Sequence, residues 1–193
     1  MTLADKITIS RIVLAPLFFI LFLFPSGADG LLRQNLIVLA ALWLLFIYIE
    51  ISDWLDGKIA RSRNEVSDFG KLLDPFSDTL VRLTYFLCFV HIRILPVVPF
   101  LLILYREFGI LFLRVMMMKK GVAMGARKGG KLKAVFYMLT GLLCLGSVTL
   151  ETLGFASYIP AVNTGAIILF IIAMIIAIIS FIDYFVLYLK TGK

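Results

Sequence analysis

Residues 165–182 read GAIILFIIAMIIAIISFI, a run without a single charged side chain. A helix needs about 20 mostly apolar residues to cross the hydrocarbon core of a bilayer, and this run with its flanks meets that length. It closes with residues typical of a membrane interface, namely Asp183, Tyr184, Tyr188 and Lys190. The stretch therefore predicts a transmembrane helix.

The rest of the chain has the same character. Of 193 residues, 62% are hydrophobic and 16% are charged, and the mean hydropathy of +1.04 lies far outside the range of soluble domains. Five further apolar runs cover about Ile12–Phe24, Leu31–Asp56, Asp74–His91, Pro96–Met118 and Leu132–Leu150. Because backbone groups in lipid must be satisfied internally, each run is expected to be helical. We predict an all-α polytopic membrane protein, a single domain over residues 1–193 with six transmembrane helices.

Basic residues mark the side of the membrane on which each loop lies. They concentrate in the loops after the second and fourth predicted spans: Lys58, Arg61, Arg63, Lys71, Lys119, Lys120, Arg127, Lys128, Lys131 and Lys133. The opposite side carries only Arg33 and Arg93. The positive-inside rule places the basic loops and both termini in the cytoplasm, as expected for a multi-pass protein of the cytoplasmic membrane. The same rule accounts for the net charge of +7, so nucleic acid is not an expected partner.

Four aspartates lie beside the first basic loop. Asp53 and Asp56 stand three residues apart, and Asp74 and Asp78 stand four apart, so each pair occupies one face of a helix. Carboxylates at a membrane helix end are costly unless positive charge compensates them. Hard oxygen ligands suit Mg²⁺ or Mn²⁺, and Mg²⁺ is usually shared with substrate phosphate. We therefore predict a metal site facing the cytoplasm and a phosphate-bearing substrate.

The two cysteines support no other metal site. Cys88 and Cys144 both lie inside apolar runs, without the spacing of a zinc site or of a disulfide framework. We interpret both as packing residues.

The aspartates belong to a longer pattern. Asp53-x-x-Asp56-Gly57-x-x-Ala60-Arg61, eight further residues, then Gly70-x-x-x-Asp74-x-x-x-Asp78 resembles the signature of the CDP-alcohol phosphatidyltransferases. The resemblance implies that an alcohol hydroxyl attacks the lipid-side phosphorus of a CDP-linked lipid and expels CMP. It also implies the roles of the residues. Asp53, Asp56, Asp74 and Asp78 hold the metal, Asp78 is also the general base, and Gly57, Ala60, Arg61 and Gly70 line the nucleotide site.

A second group of charged residues lies in the fourth predicted span. Arg106 and Arg114 are eight residues apart, so they fall on roughly one helix face within apolar sequence. Ionisable residues in such positions usually face a cavity or a partner. Together with Lys131 of the next helix they suit a phosphate group on the acceptor. The alternative for Arg106 is a salt bridge with an acidic neighbour.

These residues carry a narrower resemblance. Arg106-Glu107, Arg114, Gly121, the segment 130–133 and the opening Lys6-Ile7-Thr8-Ile9-Ser10-Arg11 are similar to the bacterial phosphatidylglycerophosphate synthases. This similarity implies CDP-diacylglycerol and glycerol 3-phosphate as substrates, an acceptor-phosphate site of Arg106, Arg114 and Lys131, and a homodimer among membrane lipids. The chain departs from that pattern at Thr79, Ala134 and Tyr137, and Glu50 and Arg82 are unusual. Arg82, four residues after Asp78, could pair with it.

Three alternatives remain. The same chemistry could use another acceptor, such as inositol phosphate or a different alcohol. A membrane prenyltransferase also binds diphosphate through aspartate-rich helices, but it has about nine spans and a longer first motif, where this chain has Ala60. A divalent-cation carrier needs acidic residues deep in several spans, whereas here Glu107 is the main acid away from the cytoplasmic edge.

Overall fold

The computed structural model describes residues 3–26, 30–31, 34–63, 68–121 and 128–191. Side chains are described at 5–24, 34–52, 70, 73–121 and 132–190. Within these residues the chain forms six α-helices: α1 Leu3–Leu23, α2 Leu36–Arg63, α3 Asp68–His91, α4 Val97–Lys119, α5 Lys128–Thr152 and α6 Ile159–Thr191. Each predicted apolar run coincides with one helix, so the prediction of an all-α fold is confirmed.

The connections between helices are short where they are described. A two-residue antiparallel ladder pairs β1 Pro25–Ser26 with β2 Gly30–Leu31 after α1. A single 3-10 turn at Ala156–Tyr158 leads into α6. Arg93, between α3 and α4, has a φ of 62°, a left-handed conformation that few residues other than glycine adopt.

The helices divide into two compact units, of which the first contains Met1–Phe89 and Leu145–Ile159. Its core is aromatic. Tyr85 of α3 is 1% exposed, and its ring centroid lies 5.5 Å from that of Phe46 on α2 and 4.7 Å from that of Phe86. Phe22 of α1 meets Phe89 edge to face at 5.4 Å. Such ring pairs add stability beyond their buried area, so they fix α1, α2 and α3 against one another.

The second unit contains Val90–Cys144 and Pro160–Lys193. One apolar cluster joins α4 to α6 through Ile110, Leu113 and Tyr184, with Phe181 and Tyr188 packed against it. A different part of the same unit buries charge, since Arg106, Glu107 and Lys133 are each less than one-tenth exposed. The two environments give α4 an apolar contact and a polar contact within the same unit.

Three helical segments are long and apolar enough to cross a membrane, judged over the described part of the chain. They are Asp5–Leu23, Leu132–Thr152 and Ala156–Lys190, and Leu36–Ser52 is a shorter apolar helix. The protein is therefore an α-helical membrane protein. Helix α4 carries Arg106, Glu107 and Arg114, and these charges lower its apolar character. The count of six crossings stays a prediction, as does the single domain.

Candidate active site

Helix α3 places two of the four predicted aspartates side by side. Asp74 and Asp78 lie one helical turn apart, and both are half-buried. Each carboxylate is bonded to the first helix. Thr8 Oγ1 donates to Asp74 Oδ1 at 2.7 Å, and Arg11 Nη1 donates to Asp78 Oδ1 at 2.7 Å. Helix α1 therefore supports both carboxylates of this half of the motif.

A small cavity in the first unit opens beside Asp78. Its lining is mostly charged: Arg11, Ile49, Glu50, Asp78, Val81 and Arg82. Glu50 Oε1 accepts a hydrogen bond of 3.2 Å from the Tyr85 hydroxyl, which links this carboxylate to the aromatic core. Arg82, which the sequence suggests as a partner of Asp78, lines the same cavity. The ion pair that the structure places on Asp78 comes from Arg11.

The other half of the motif lies on helix α2. Asp53, Asp56, Gly57, Ala60 and Arg61 are within α2, Leu36–Arg63, but their side chains are outside the described part of the structure. Gly70 lies in α3 and is buried. Convergence of the two aspartate pairs therefore stays a prediction, as do the nucleotide-site roles of these residues.

The donor chemistry near Asp78 fits a hard divalent cation. Asp74, Asp78 and Glu50 offer carboxylate oxygens, which Mg²⁺ and Mn²⁺ prefer to nitrogen or sulfur. Hydrogen bonds from Thr8 and Arg11 restrain two of these carboxylates, as outer partners of metal ligands commonly do. Among the described side chains alone, no group of three acidic, His or Cys residues is assembled. A ligand set that includes Asp53 and Asp56 stays a prediction, because their side chains are outside the described part of the structure.

The second unit holds Arg106 in a network of hydrogen bonds. Its Nε donates to the carbonyl oxygen of Ala177 at 3.0 Å, its Nη1 to Glu107 Oε2 at 3.0 Å, and its Nη2 to Ser180 Oγ at 3.3 Å. The side chain is about 4% exposed. The salt bridge with an acidic neighbour, one of the two interpretations of Arg106, is therefore present. Its acceptor-phosphate role stays a prediction.

Glu107 is neutralised from two helices. Its Oε2 accepts from Arg106 on α4, and its Oε1 accepts from Lys133 Nζ and from the Tyr137 hydroxyl on α5, the latter at 3.1 Å. The interpretation of Lys133 as a loop residue is wrong, because Lys133 is 8% exposed inside α5 and pairs with a buried carboxylate. A buried carboxylate is tolerated when cationic partners compensate its charge, which explains how Glu107 is accommodated within apolar sequence.

Arg114 differs from Arg106 in its bonding. It is half-buried, and its Nε is buried without a hydrogen-bond partner among the described residues. A buried donor left unpaired costs about 1 to 3 kcal/mol, so such a group invites a polar ligand. Lys131, the third predicted phosphate ligand, lies in α5, but its side chain is outside the described range.

Two residues beside the aspartates were not predicted as site residues. Thr8 and Arg11 stand three apart, so they present a donor pair on one face of α1, and this face meets Asp74 and Asp78. The signal that marks them is an arginine at the start of the apolar run of α1, with a threonine three residues before it. The sequence alone does not say which of the later carboxylates they meet.

The chain is similar to known proteins over most of its length. A family model described as CDP-alcohol phosphatidyltransferase matches residues 1–190. A Treponema pallidum protein named CDP-diacylglycerol–glycerol-3-phosphate 3-phosphatidyltransferase is 35% identical over 95% of this chain and 88% of its own length. Proteins of the same name from Bacillus subtilis and Rickettsia typhi are 36% and 32% identical, over 68% and 75% of this chain and 69% and 77% of their own lengths.

Proposed function

The chain belongs to the CDP-alcohol phosphatidyltransferase family, and from that membership we propose that it transfers a phosphatidyl group from CDP-diacylglycerol to glycerol 3-phosphate. The products are phosphatidylglycerophosphate and CMP, so the protein acts in phospholipid biosynthesis. The observation that carries the proposal is the pair Asp74 and Asp78, which lie one turn apart on α3 and accept hydrogen bonds from Thr8 and Arg11 of α1. The names of the relatives from three bacteria support the choice of both substrates.

The reaction forms one bond to phosphorus and breaks another. The hydroxyl oxygen of the acceptor attacks the phosphorus that carries diacylglycerol, and the bond from that phosphorus to the oxygen of CMP breaks. Asp78 removes the hydroxyl proton as general base, for which a carboxylate restrained at one oxygen is suited. Phosphoryl transfer depends mainly on positioning and on electrostatic stabilisation, so rigid carboxylates matter more than covalent chemistry.

Asp53, Asp56, Asp74 and Asp78 are proposed to hold Mg²⁺ or Mn²⁺. The bound metal supplies neutralisation of the diphosphate charge and stabilisation of the leaving CMP. Without such a cation the four carboxylates would repel one another and the substrate. The oxygen-only character of Asp74, Asp78 and the nearby Glu50 supports a hard cation.

The remaining predicted residues are proposed to bind substrate. Gly57, Ala60, Arg61 and Gly70 line the nucleotide site. Arg106, Arg114 and Lys131 bind the acceptor phosphate. The best support for that role is the buried Nε of Arg114, which has no hydrogen-bond partner within the described part of the chain. The hydrogen-bonded Arg106 has a second use, because it also neutralises Glu107.

The protein is proposed to reside in the cytoplasmic membrane as a multi-pass homodimer, surrounded by membrane lipids, with its active site facing the cytoplasm. The excess of basic residues around the α2–α3 and α4–α5 connections, most of them on the adjoining helix ends, supports this orientation. A substrate accessible in the cytoplasm, such as glycerol 3-phosphate, requires this side.

Product analysis tests the proposal. Purified protein is incubated with CDP-diacylglycerol, Mg²⁺ and one alcohol at a time: glycerol 3-phosphate, glycerol or inositol phosphate. We expect CMP and phosphatidylglycerophosphate with glycerol 3-phosphate, and no lipid product with glycerol. Preferred use of inositol phosphate would keep the chemistry and change the acceptor, with Ala134 and Tyr137 as the first residues to examine. No CMP release with any alcohol would overturn the proposal.

A further inference from the structure

One basic residue of helix α1 is buried against the proposed base. The Arg11 side chain is 2% exposed, that of Asp78 is 28% exposed, and the two are joined by the 2.7 Å bond from Nη1 to Oδ1. A guanidinium within a membrane helix is expensive unless an anion compensates it, and the Asp78 carboxylate supplies that compensation. The pair therefore restricts Asp78 to one orientation.

A second contact one turn earlier fixes the register of the two helices. Thr8 Oγ1 donates to Asp74 Oδ1, and Ser77 Oγ of α3 donates to the backbone carbonyl oxygen of Thr8 at 3.2 Å. Thr8 and Ser77 are fully buried. Three hydrogen bonds thus tie α1 to the turn of α3 that carries Asp74 and Asp78, so the position of Arg11 follows from a rigid contact between helices.

The chemistry of arginine limits what Arg11 can do at this position. A guanidinium stays protonated in proteins, so it donates hydrogen bonds and does not take up the proton of a hydroxyl. It also offers a planar set of donors, which orients a carboxylate better than the point charge of lysine. Arg11 Nη1 donates to Asp78 Oδ1, so the guanidinium orients the carboxylate while the carboxylate provides the basic oxygens.

We infer that Arg11 is a positioning residue for the reaction: it holds Asp78 in the orientation in which its carboxylate takes the acceptor proton. Thr8 orients the carboxylate of Asp74 through a neutral hydrogen bond. This inference rests on the proposed function, because it takes Asp78 as the base. The aspartate motif lies on α2 and α3. The inference adds a third helix, α1, to those that contribute to catalysis.

The test compares Arg11→Gln, Arg11→Lys, Asp78→Asn and the double variant Arg11→Gln/Asp78→Asn in detergent-purified protein. Lys6→Gln is the matched control, since it removes an exposed positive charge from the same helix. For each protein, kcat and KM for both substrates, Mn²⁺ binding by electron paramagnetic resonance, and thermal stability are measured.

We expect Arg11→Gln to lower kcat about 10- to 100-fold. This is the range seen when a residue that hydrogen-bonds to a metal-ligating side chain is removed. KM for CDP-diacylglycerol should change less than about threefold, because a positioning role acts on the transition state. Arg11→Lys should recover part of kcat, and Arg11→Gln should cost nothing further once Asp78 is Asn. Lys6→Gln should match the wild type.

Other results separate the positioning role of Arg11 from the proposed role of Asp78 as base. If Asp78→Asn is inactive while Arg11→Gln retains wild-type kcat, the positioning role is wrong and the proposed function stands. Equal activity of wild type and Asp78→Asn means that the proposed base itself is wrong. If Arg11→Gln does not fold, Arg11→Lys decides: wild-type stability and Mn²⁺ binding with a reduced kcat support the inference, and a wild-type kcat overturns it. Further loss of kcat in the double variant, relative to Asp78→Asn, would also overturn it.

Discussion

The hydroxyl of Tyr137 on α5 lies 3.1 Å from Oε1 of Glu107 on α4. Tyr137 is one of the positions at which this chain departs from the pattern of the bacterial phosphatidylglycerophosphate synthases, and its hydroxyl donates to this buried carboxylate. This contact, together with those from Lys133 and Arg106, forms a buried polar network within the second unit.

The network predicts unequal costs for its members. Tyr137→Phe removes one hydrogen bond and should reduce the free energy of unfolding by about 1 kcal/mol. Glu107→Gln leaves Arg106 and Lys133 without their anion and should cost about 3 to 5 kcal/mol. Thermal unfolding in detergent measures both variants against wild type. Similar destabilisation by the two substitutions would contradict the assignment of Glu107 as the compensating charge.

Removal of divalent metal is expected to abolish activity. The four aspartates would otherwise repel one another and the diphosphate, so the substrate cannot dock productively. CMP release is measured in excess chelator and again after addition of Mg²⁺ or Mn²⁺. Activity should disappear with the chelator and return with the metal. Undiminished release in chelator would exclude the metal site.

Asp78→Asn should lower kcat about 10²- to 10⁴-fold while CDP-diacylglycerol still binds, because loss of a general base costs rate more than affinity. Asp56→Asn should weaken both binding and rate, since metal binding is the only role proposed for Asp56, whereas Asp78 has the additional role of base and its loss affects mainly the rate. The measurement is kcat together with the dissociation constant of the CDP-lipid for both variants. Retained turnover in Asp78→Asn would show that the base lies elsewhere.

The two arginines of α4 are expected to respond differently to substitution. Arg114→Gln should raise KM for glycerol 3-phosphate about tenfold or more, with stability close to wild type, because its buried Nε has no protein partner among the described residues. Arg106→Gln should reduce thermal stability as well, since it breaks the bonds to Glu107, Ser180 and Ala177. KM for CDP-diacylglycerol is the internal control and should stay constant in Arg114→Gln. An unchanged acceptor KM in Arg114→Gln would refute its phosphate role.

Close packing of α4 against α6 can be tested with two glycines. A Cβ added at Gly109 would lie 2.8 Å from Cε2 of Phe181, so the ring must shift. Gly109→Ala should therefore destabilise the protein by about 1 to 3 kcal/mol. Gly165→Ala is the matched control, because its Cβ would meet Leu143 Cδ1 at 3.4 Å, an ordinary contact. Melting temperatures of both variants check this, and equal values would show that Phe181 yields without cost.

The sequence predicts the helices well because apolar runs have a direct physical cause. The run at 165–182 and its five counterparts each became a helix, although α6 begins earlier, at Ile159, and α2 continues to Arg63. Polar residues next to a span continue a helix as readily as they end it, so the run alone does not fix the boundaries. Lys133 was misassigned for the same reason, since a lysine beside an apolar run resembles a loop residue until its partner is known.

The candidate site is less accessible to sequence reasoning. The spacing of Asp74 and Asp78 places them on one face of α3, and the structure agrees. The bond between Arg11 and Asp78 joins residues 67 positions apart, and no local periodicity relates them. Arg82 lies four residues after Asp78, so local spacing indicates that it could pair with Asp78, and both residues line the same cavity. Pairing between helices depends on tertiary packing, which spacing within one helix does not encode.

The buried network of α4 has a consequence for how the protein enters the membrane during synthesis. Helix α4 emerges from the ribosome with Arg106 and Glu107. The partners of Glu107 on α5, Lys133 and Tyr137, follow later. The partners of Arg106 on α6, Ala177 and Ser180, follow last. A lone helix with these charges partitions into lipid poorly, because each costs up to about 2.5 to 3.5 kcal/mol near the bilayer centre. Helix α4 should therefore remain beside the insertion machinery until the later helices arrive, and the last three helices should enter the lipid as a group.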